Sequence, residues 1–150
     1  ALSYVIRAVI QRVNEAKVEV DQKIVGQIDQ GILVLFGCHK DDTDNQIDYL
    51  VDKLINMRIF SDENDKMNLS IKDIDGDILV VSQFTLLADT KKGRRPSFIN
   101  SMEPKKANEF YEKFISKLKE HIKNVPTGIF GAKMQVSLIN DGPATFVLDV

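Results

Sequence analysis

Cysteine is almost missing: Cys38 is the only one in 150 residues. That excludes an internal disulfide framework and suits the reducing cytoplasm. Tryptophan is absent, and histidine occurs only at His39 and His121. Cys38 and His39 are adjacent, but with no second cysteine they make no metal-ligand set, and a buried structural thiol is the expected role. No apolar run approaches the ~20 residues of a membrane span. Ala1–Tyr4 lacks the charged and apolar regions of a signal peptide. Neither a GxSxG elbow, an HExxH pair, a phosphate-binding P-loop nor a GxGxxG turn is present. The acidic stretch Asp62-Glu63-Asn64-Asp65 has no glycine at loop position six and no closing glutamate, so it reads as a solvated loop rather than a calcium site. A net charge of −2 excludes a body coated in positive charge, though not a local basic patch.

What is present reads as one domain over residues 1–150, with residues 1–5 a possible extension. No repeat, low-complexity tract or linker divides it, and 43% hydrophobic residues in this length supply a core. Val5–Val13 is rich in Val and Ile and predicts a strand. Val18–Ile28 predicts a hairpin turning near Asp21-Gln22-Lys23. Gly31 precedes Ile32–Phe36, a short unbroken apolar run of the kind buried on both faces. Thr43 and Gln46 have capping-box spacing, and Ile47, Leu50, Val51, Leu54 and Ile55 form one helical stripe. Asp75-Gly76 is a turn before the buried run Ile78–Phe84. Pro104 opens a second helix, whose apolar face is Ala107, Phe110, Tyr111, Phe114, Ile115 and Leu118. Lys113, Lys117, Lys119 and Lys123 fall off that stripe and read as a solvated face. Met134–Ile139 and Phe146–Val150 complete the strands. This order predicts an α/β domain with a strongly curved sheet.

Three segments could carry chemistry. Ser82-Gln83-Phe84-Thr85 closes an apolar strand with small polar groups and one aromatic. Of its hydroxyls Thr85 is the stronger candidate nucleophile and Ser82 the weaker, but no base lies nearby in sequence to activate Thr85. Asn140-Asp141-Gly142-Pro143-Ala144-Thr145 puts Gly-Pro between two strand patterns. Proline cannot donate to a ladder, an X-Pro bond adopts cis at only ~0.5–1 kcal/mol, and glycine lets a ligand approach the backbone. Lys91-Lys92-Gly93-Arg94-Arg95-Pro96 puts four cations in six residues, which fits either a solvated loop or phosphate contacts. Phe130 fits either a cleft wall or core packing.

Together and in this order, the Ser-Gln-Phe-Thr and Asn-x-Gly-Pro-x-Thr segments resemble the D-aminoacyl-tRNA deacylase family, and the resemblance runs from Val9 to Asp149. It implies a single domain with a mixed, barrel-like sheet and two amphipathic helices. It implies a cytoplasmic homodimer that needs no cofactor or metal and hydrolyses the ester of D-aminoacyl-tRNA, with glycyl-tRNA as a substrate the chirality filter does not reject. Ser82, Gln83, Phe84 and Thr85 would line the pocket for the terminal adenosine. Phe84 would orient the adenine, and backbone amides around Gln83 and Thr85 would polarise the ester carbonyl. The tRNA 2′-hydroxyl would supply proton transfer. A cis Gly142-Pro143 would reach into the partner subunit's pocket, capture the α-amino group and reject an L side chain. Asn140 completes that motif, Arg12 would brace its loop, and Ala144 replaces a larger residue with an effect on packing only. Lys91, Lys92, Arg94, Arg95 and Phe130 would contact tRNA. Two other readings stand beside this one: a non-catalytic nucleic-acid-binding module, and an esterase with Thr85 as nucleophile.

Overall fold

The computed structural model describes residues 5–150, so the first four residues of the possible extension, and any role as a signal segment, lie outside the described residues. The chain runs β1 (Arg7–Val20), β2 (Lys23–Ile28), β3 (Gly31–Gly37), α1 (Asp44–Asn56), β4 (Phe60–Ser61), β5 (Met67–Leu69), β6 (Asp77–Ser82), a 3-10 turn (Phe84–Leu87), α2 (Pro104–Lys119) and β7 (Gln135–Asp149). It is a mixed α/β domain in which a curled half-barrel sheet packs against two helices.

β1 organises the sheet. One edge pairs along its length with β7; the other pairs first with β3, over Arg7–Val13, and then with β2, over Ala16–Val20. Sharing one strand between two successive partners bends the sheet. β1 is therefore one 14-residue strand rather than the separate Val5–Val13 and Val18–Val20 pieces that the sequence pattern predicts. The β1–β2 hairpin turns at Asp21 and Gln22, both at positive φ (51° and 66°), the twist that a two-residue hairpin requires.

β3 and β6 pair in parallel, from Gly31–Asp77 to Phe36–Ser82, and their unbroken apolar runs are explained by burial on both faces. Ile32, Val34, Phe36, Ile78 and Val80 face the helices; Leu33, Leu79 and Val81 join Val13, Val18 and Ile28 in a second cluster on the opposite face. On the helix side Phe36 stacks on Phe114 at 4.5 Å between centroids.

Both helices start as their sequences dictate. At α1 the Gln46 carboxamide accepts the Thr43 N–H at 2.7 Å and donates to Val150 O at 2.8 Å. At α2 Pro104 is the first helical residue, and the Glu103 carboxylate accepts the Lys106 and Lys105 N–H groups at 2.8 and 3.3 Å. On the solvent-facing side of α2, Lys113 and Lys117 pair with the exposed Asp44 and Asp48 of α1 at 2.9 and 2.6 Å. The packing of α1 on α2 brings the two rows together, and the Asp48 carboxylate raises the Lys117 pKa.

β7 is also one strand, where the sequence predicts two separated at Gly-Pro. Among the described residues it pairs only with β1, and proline is tolerated on such an edge. Between the pairs Val13–Asn140 and Gln11–Thr145 the register shifts, so Asp141, Gly142, Pro143 and Ala144 stand opposite Arg12 alone.

Candidate active site

The cavity that matters opens where β6 ends. Its volume is about 610 Å³, and Ser82, Gln83, Phe84, Phe98, Phe130 and Met134 are among its walls. Parallel pairing carries β6 to Ser82; the Gln83 N–H then bonds Phe36 O at 2.8 Å, and the chain tightens into the turn Phe84–Leu87. Inside the turn, Leu86 N donates to Gln83 O at 3.2 Å and Ala88 N to Thr85 O at 3.1 Å. The N–H groups of Phe84 and Thr85, at the open end, have no acceptor within the turn, and no bond from either is formed elsewhere among the described residues. Since Phe36 O already takes the Gln83 N–H, Phe84 and Thr85 hold the available donors.

Phe84 is 54% exposed and packs edge-on against Phe98, with centroids 4.9 Å apart at 64°. Ser101 Oγ donates to Phe84 O at 3.3 Å, tying the two aromatic segments together. Thr85 is exposed, and its hydroxyl accepts a short hydrogen bond from Gln83 Nε2. Phe130 takes both roles left open for it: it lines the cavity and packs on Tyr111 at 5.8 Å. Tyr111 in turn donates to Val80 O at 3.1 Å, and burial pushes its phenol up to about 12.

The walls offer no activated side-chain nucleophile. The Cys38 thiol is 5% exposed, and burial followed by the nearby Asp42 raises its pKa, so it stays protonated. Glu103, the lining carboxylate, is engaged as the α2 cap. Among the described residues no cluster of His, Cys, Asp or Glu is placed to hold a metal, and no helix is long and apolar enough to cross a membrane.

A second constellation lies away from this cavity. Arg12, 8% exposed, donates through Nε to Asp141 O at 2.9 Å and through Nη1 to Ile59 O at 2.7 Å. Asn140 holds the other flank: Oδ1 accepts Ala144 N at 2.7 Å, and Nδ2 donates to Ala144 O at 3.3 Å and Thr145 Oγ1 at 3.0 Å. These bonds display Gly142 and Pro143, joined by a cis peptide, to solvent. Gly142 has φ 139°, and a Cβ there would sit 2.8 Å from Arg12 Nη2, so no other residue fits comfortably. Ala144 is buried at 5% exposure beneath the loop.

The third group is the loop pinched by reciprocal Asp89–Ser97 backbone bonds of 2.7 and 2.8 Å. Lys91, Lys92, Arg94 and Arg95 are all exposed on it, and none joins an ion pair among the described residues. The structure thus gathers Ser82, Gln83, Phe84 and Phe130 at one cavity, with Thr85 on the turn beside it, and places Arg12, Asn140, Gly142 and Pro143 elsewhere on the protomer. Sequence reasoning missed Phe98 and Met134 as cavity walls; an aromatic three residues beyond Arg95 was the available signal for Phe98.

The family model of D-Tyr-tRNA(Tyr) deacylase matches residues 9–149. The chain belongs to this family. It is 55% identical to the D-aminoacyl-tRNA deacylase of Clostridioides difficile over 95% of its length and 96% of the relative's. It is 58% identical to that of Thermosipho africanus with the same coverage. Among solved structures it resembles a c-Myc DNA unwinding element binding protein, at 39% identity and a TM-score of 0.90 over 95% of this chain and 97% of that one. A probable eukaryotic D-amino acid tRNA deacylase at 20% identity shares the fold, with a TM-score of 0.85 over 97% and 100%. Deacylases of this family are hydrolases.

Proposed function

We propose that the protein hydrolyses the ester of D-aminoacyl-tRNA, releasing the free D-amino acid and tRNA, and that it works in the cytoplasm as a chirality proofreader. The observation that carries this reading is the pair of unpaired N–H groups at Phe84 and Thr85 on the rim of an aromatic cavity without an activated nucleophile. An aminoacyl ester is already activated, so donors aimed at its developing oxyanion and a fixed geometry supply most of what hydrolysis needs. Phe84, with Phe98 and Phe130 nearby, offers a surface on which the terminal adenine stacks. Water attacks the carbonyl carbon, the ester C–O bond breaks, and the adenosine 2′-hydroxyl relays the proton. Thr85 acts through its main chain; its hydroxyl accepts from Gln83 Nε2 and has no base beside it.

Chirality selection belongs, on this reading, to Gly142-Pro143. The loop is held from both flanks, with Gly142 and Pro143 exposed at its tip. In a homodimer it serves the partner's cavity, capturing the α-amino group and leaving no room for an L side chain. Glycine has no side chain to reject, so glycyl-tRNA is also cleaved. The two-fold arrangement this requires is isologous, and sedimentation should show a species of twice the 16.9 kDa chain mass. The four exposed cations contact the tRNA backbone.

The likeness to a c-Myc DNA unwinding element binding protein, together with those cations, favours a second reading as a non-catalytic nucleic-acid binder. Incubation with D-Tyr-tRNA and with a simple aromatic ester separates these and the Thr85-nucleophile alternative. Hydrolysis of the tRNA ester alone supports the proposal. Cleavage of both supports a general esterase, and binding without cleavage the non-catalytic module.

A further inference from the structure

We propose that Arg7 is a positioning residue for the carbonyl-activating turn, held in that role by Asp149. This rests on the reading that Phe84–Leu87 supplies the oxyanion donors. Arg7 lies before residues 9–149, the span the family model matches. It directly faces Asp149 across the β1–β7 ladder, and the pair is bidentate: Nε to Oδ1 at 2.7 Å and Nη2 to Oδ2 at 3.0 Å. The fork fixes the guanidinium plane. Its remaining arm, Nη1, then donates to Leu86 O at 3.3 Å.

Leu86 O is an end carbonyl of the turn, a group the turn itself leaves without a donor. The turn has only four residues and few internal bonds, so outside anchors set its position. Its entry is fixed by Gln83 N on Phe36 O, and Ser101 Oγ holds Phe84 O. Leu87 is buried, close enough to Gly37 that a Cβ there would come within 2.7 Å of its Cδ2. Arg7 is the charged anchor at the exit. Losing the anchor lets the turn drift while the fold survives, because the ion pair is solvent-exposed and contributes little to stability.

The test is a double-mutant cycle on the full-length enzyme with D-Tyr-tRNA. Arg7→Ala should lower kcat by about tenfold with KM changed less than ~twofold, as expected when donors act mainly in the transition state. Asp149→Ala should lose a similar amount, and the double variant should be no worse than Arg7→Ala by more than ~twofold. Arg7→Lys should not restore kcat, since an ammonium cannot hold the carboxylate fork and the third bond together. Amide exchange at Leu86 and Ala88 should quicken in Arg7→Ala while β3 and β6 amides keep their protection. An unchanged kcat, losses that multiply in the double variant, or unaltered exchange at the turn would each overturn the proposal. The exchange measurement needs no substrate, so a wild-type protein inert toward D-Tyr-tRNA would defeat the proposed function and leave this positioning role separately readable.

Discussion

Replacing Arg12 with methionine removes the strut beneath the Gly142-Pro143 loop while keeping most of the side chain's apolar stem. Two charge-assisted bonds are lost, to Asp141 O at 2.9 Å and to Ile59 O at 2.7 Å. Bonds to a charged donor contribute ~1.5–3 kcal/mol each, and a buried carbonyl left bare costs ~1–3 kcal/mol. Against this, methionine avoids the cost of holding a guanidinium at 8% exposure. The contact between Arg12 Nε and the half-exposed Asp141 carboxylate is long, at 3.5 Å, and adds little. The net loss is ~2–4 kcal/mol, which lowers Tm by roughly 5–15 °C in a domain of this size. Thermal melts followed by circular dichroism read the stability, and deacylation of D-Tyr-tRNA well below the melt reads the loop. Activity should fall more than the remaining folded fraction explains, since Arg12 alone faces the four looped-out residues. Arg12→Lys should recover part of the stability, having one ammonium for two carbonyls. A Tm within ~2 °C of wild type together with wild-type deacylation would refute the strut.

Other outcomes follow from the same geometry. Thr85→Ala should cost at most about tenfold in rate, whereas a substrate lacking the terminal 2′-hydroxyl should be cleaved far more slowly; a trapped acyl-enzyme on the wild type would contradict this. Changing Lys91, Lys92, Arg94 and Arg95 together to Ala should weaken tRNA binding and flatten its log–log salt slope by as much as ~3, at roughly 0.7–0.9 per phosphate contact; turnover at saturation should change less. Burial raises the Tyr111 phenol above its unfolded value, so the stability it contributes is fully present below pH ~10 and is lost as pH rises through about 12. Absorbance titration should show a tyrosinate step near 12, and Tyr111→Phe should remove it.

Much of this arrangement was legible in the sequence because local chemistry decides it. The Thr43–Gln46 spacing and Pro104 mark helix starts regardless of what packs on them. The double-sided burial of Ile32–Phe36 and Ile78–Val81 shows as unbroken apolar runs. What was not legible depends on residues far apart in the chain. β1 runs continuously to Val20 because it trades β3 for β2 as partner, and nothing within Arg7–Val20 announces that exchange. The register shift that makes β7 one strand around Gly142-Pro143 is set by Arg12, more than 120 residues upstream. That the solvated Lys113 and Lys117 pair with Asp44 and Asp48 depends on how α1 packs against α2. The motif residues Ser82–Thr85 could be named from the sequence, but which of their amides are free follows only from β3 meeting β6.

The proposed enzyme cleaves the aminoacyl ester according to the handedness of its α-carbon. The most direct test of that selectivity is the rate of amino-acid release from D-Tyr-tRNA and L-Tyr-tRNA, measured side by side with the purified protein at equal concentrations. Rapid release from D-Tyr-tRNA with L-Tyr-tRNA at its spontaneous hydrolysis rate is the predicted result. Equal release from both, or release from neither, would contradict it.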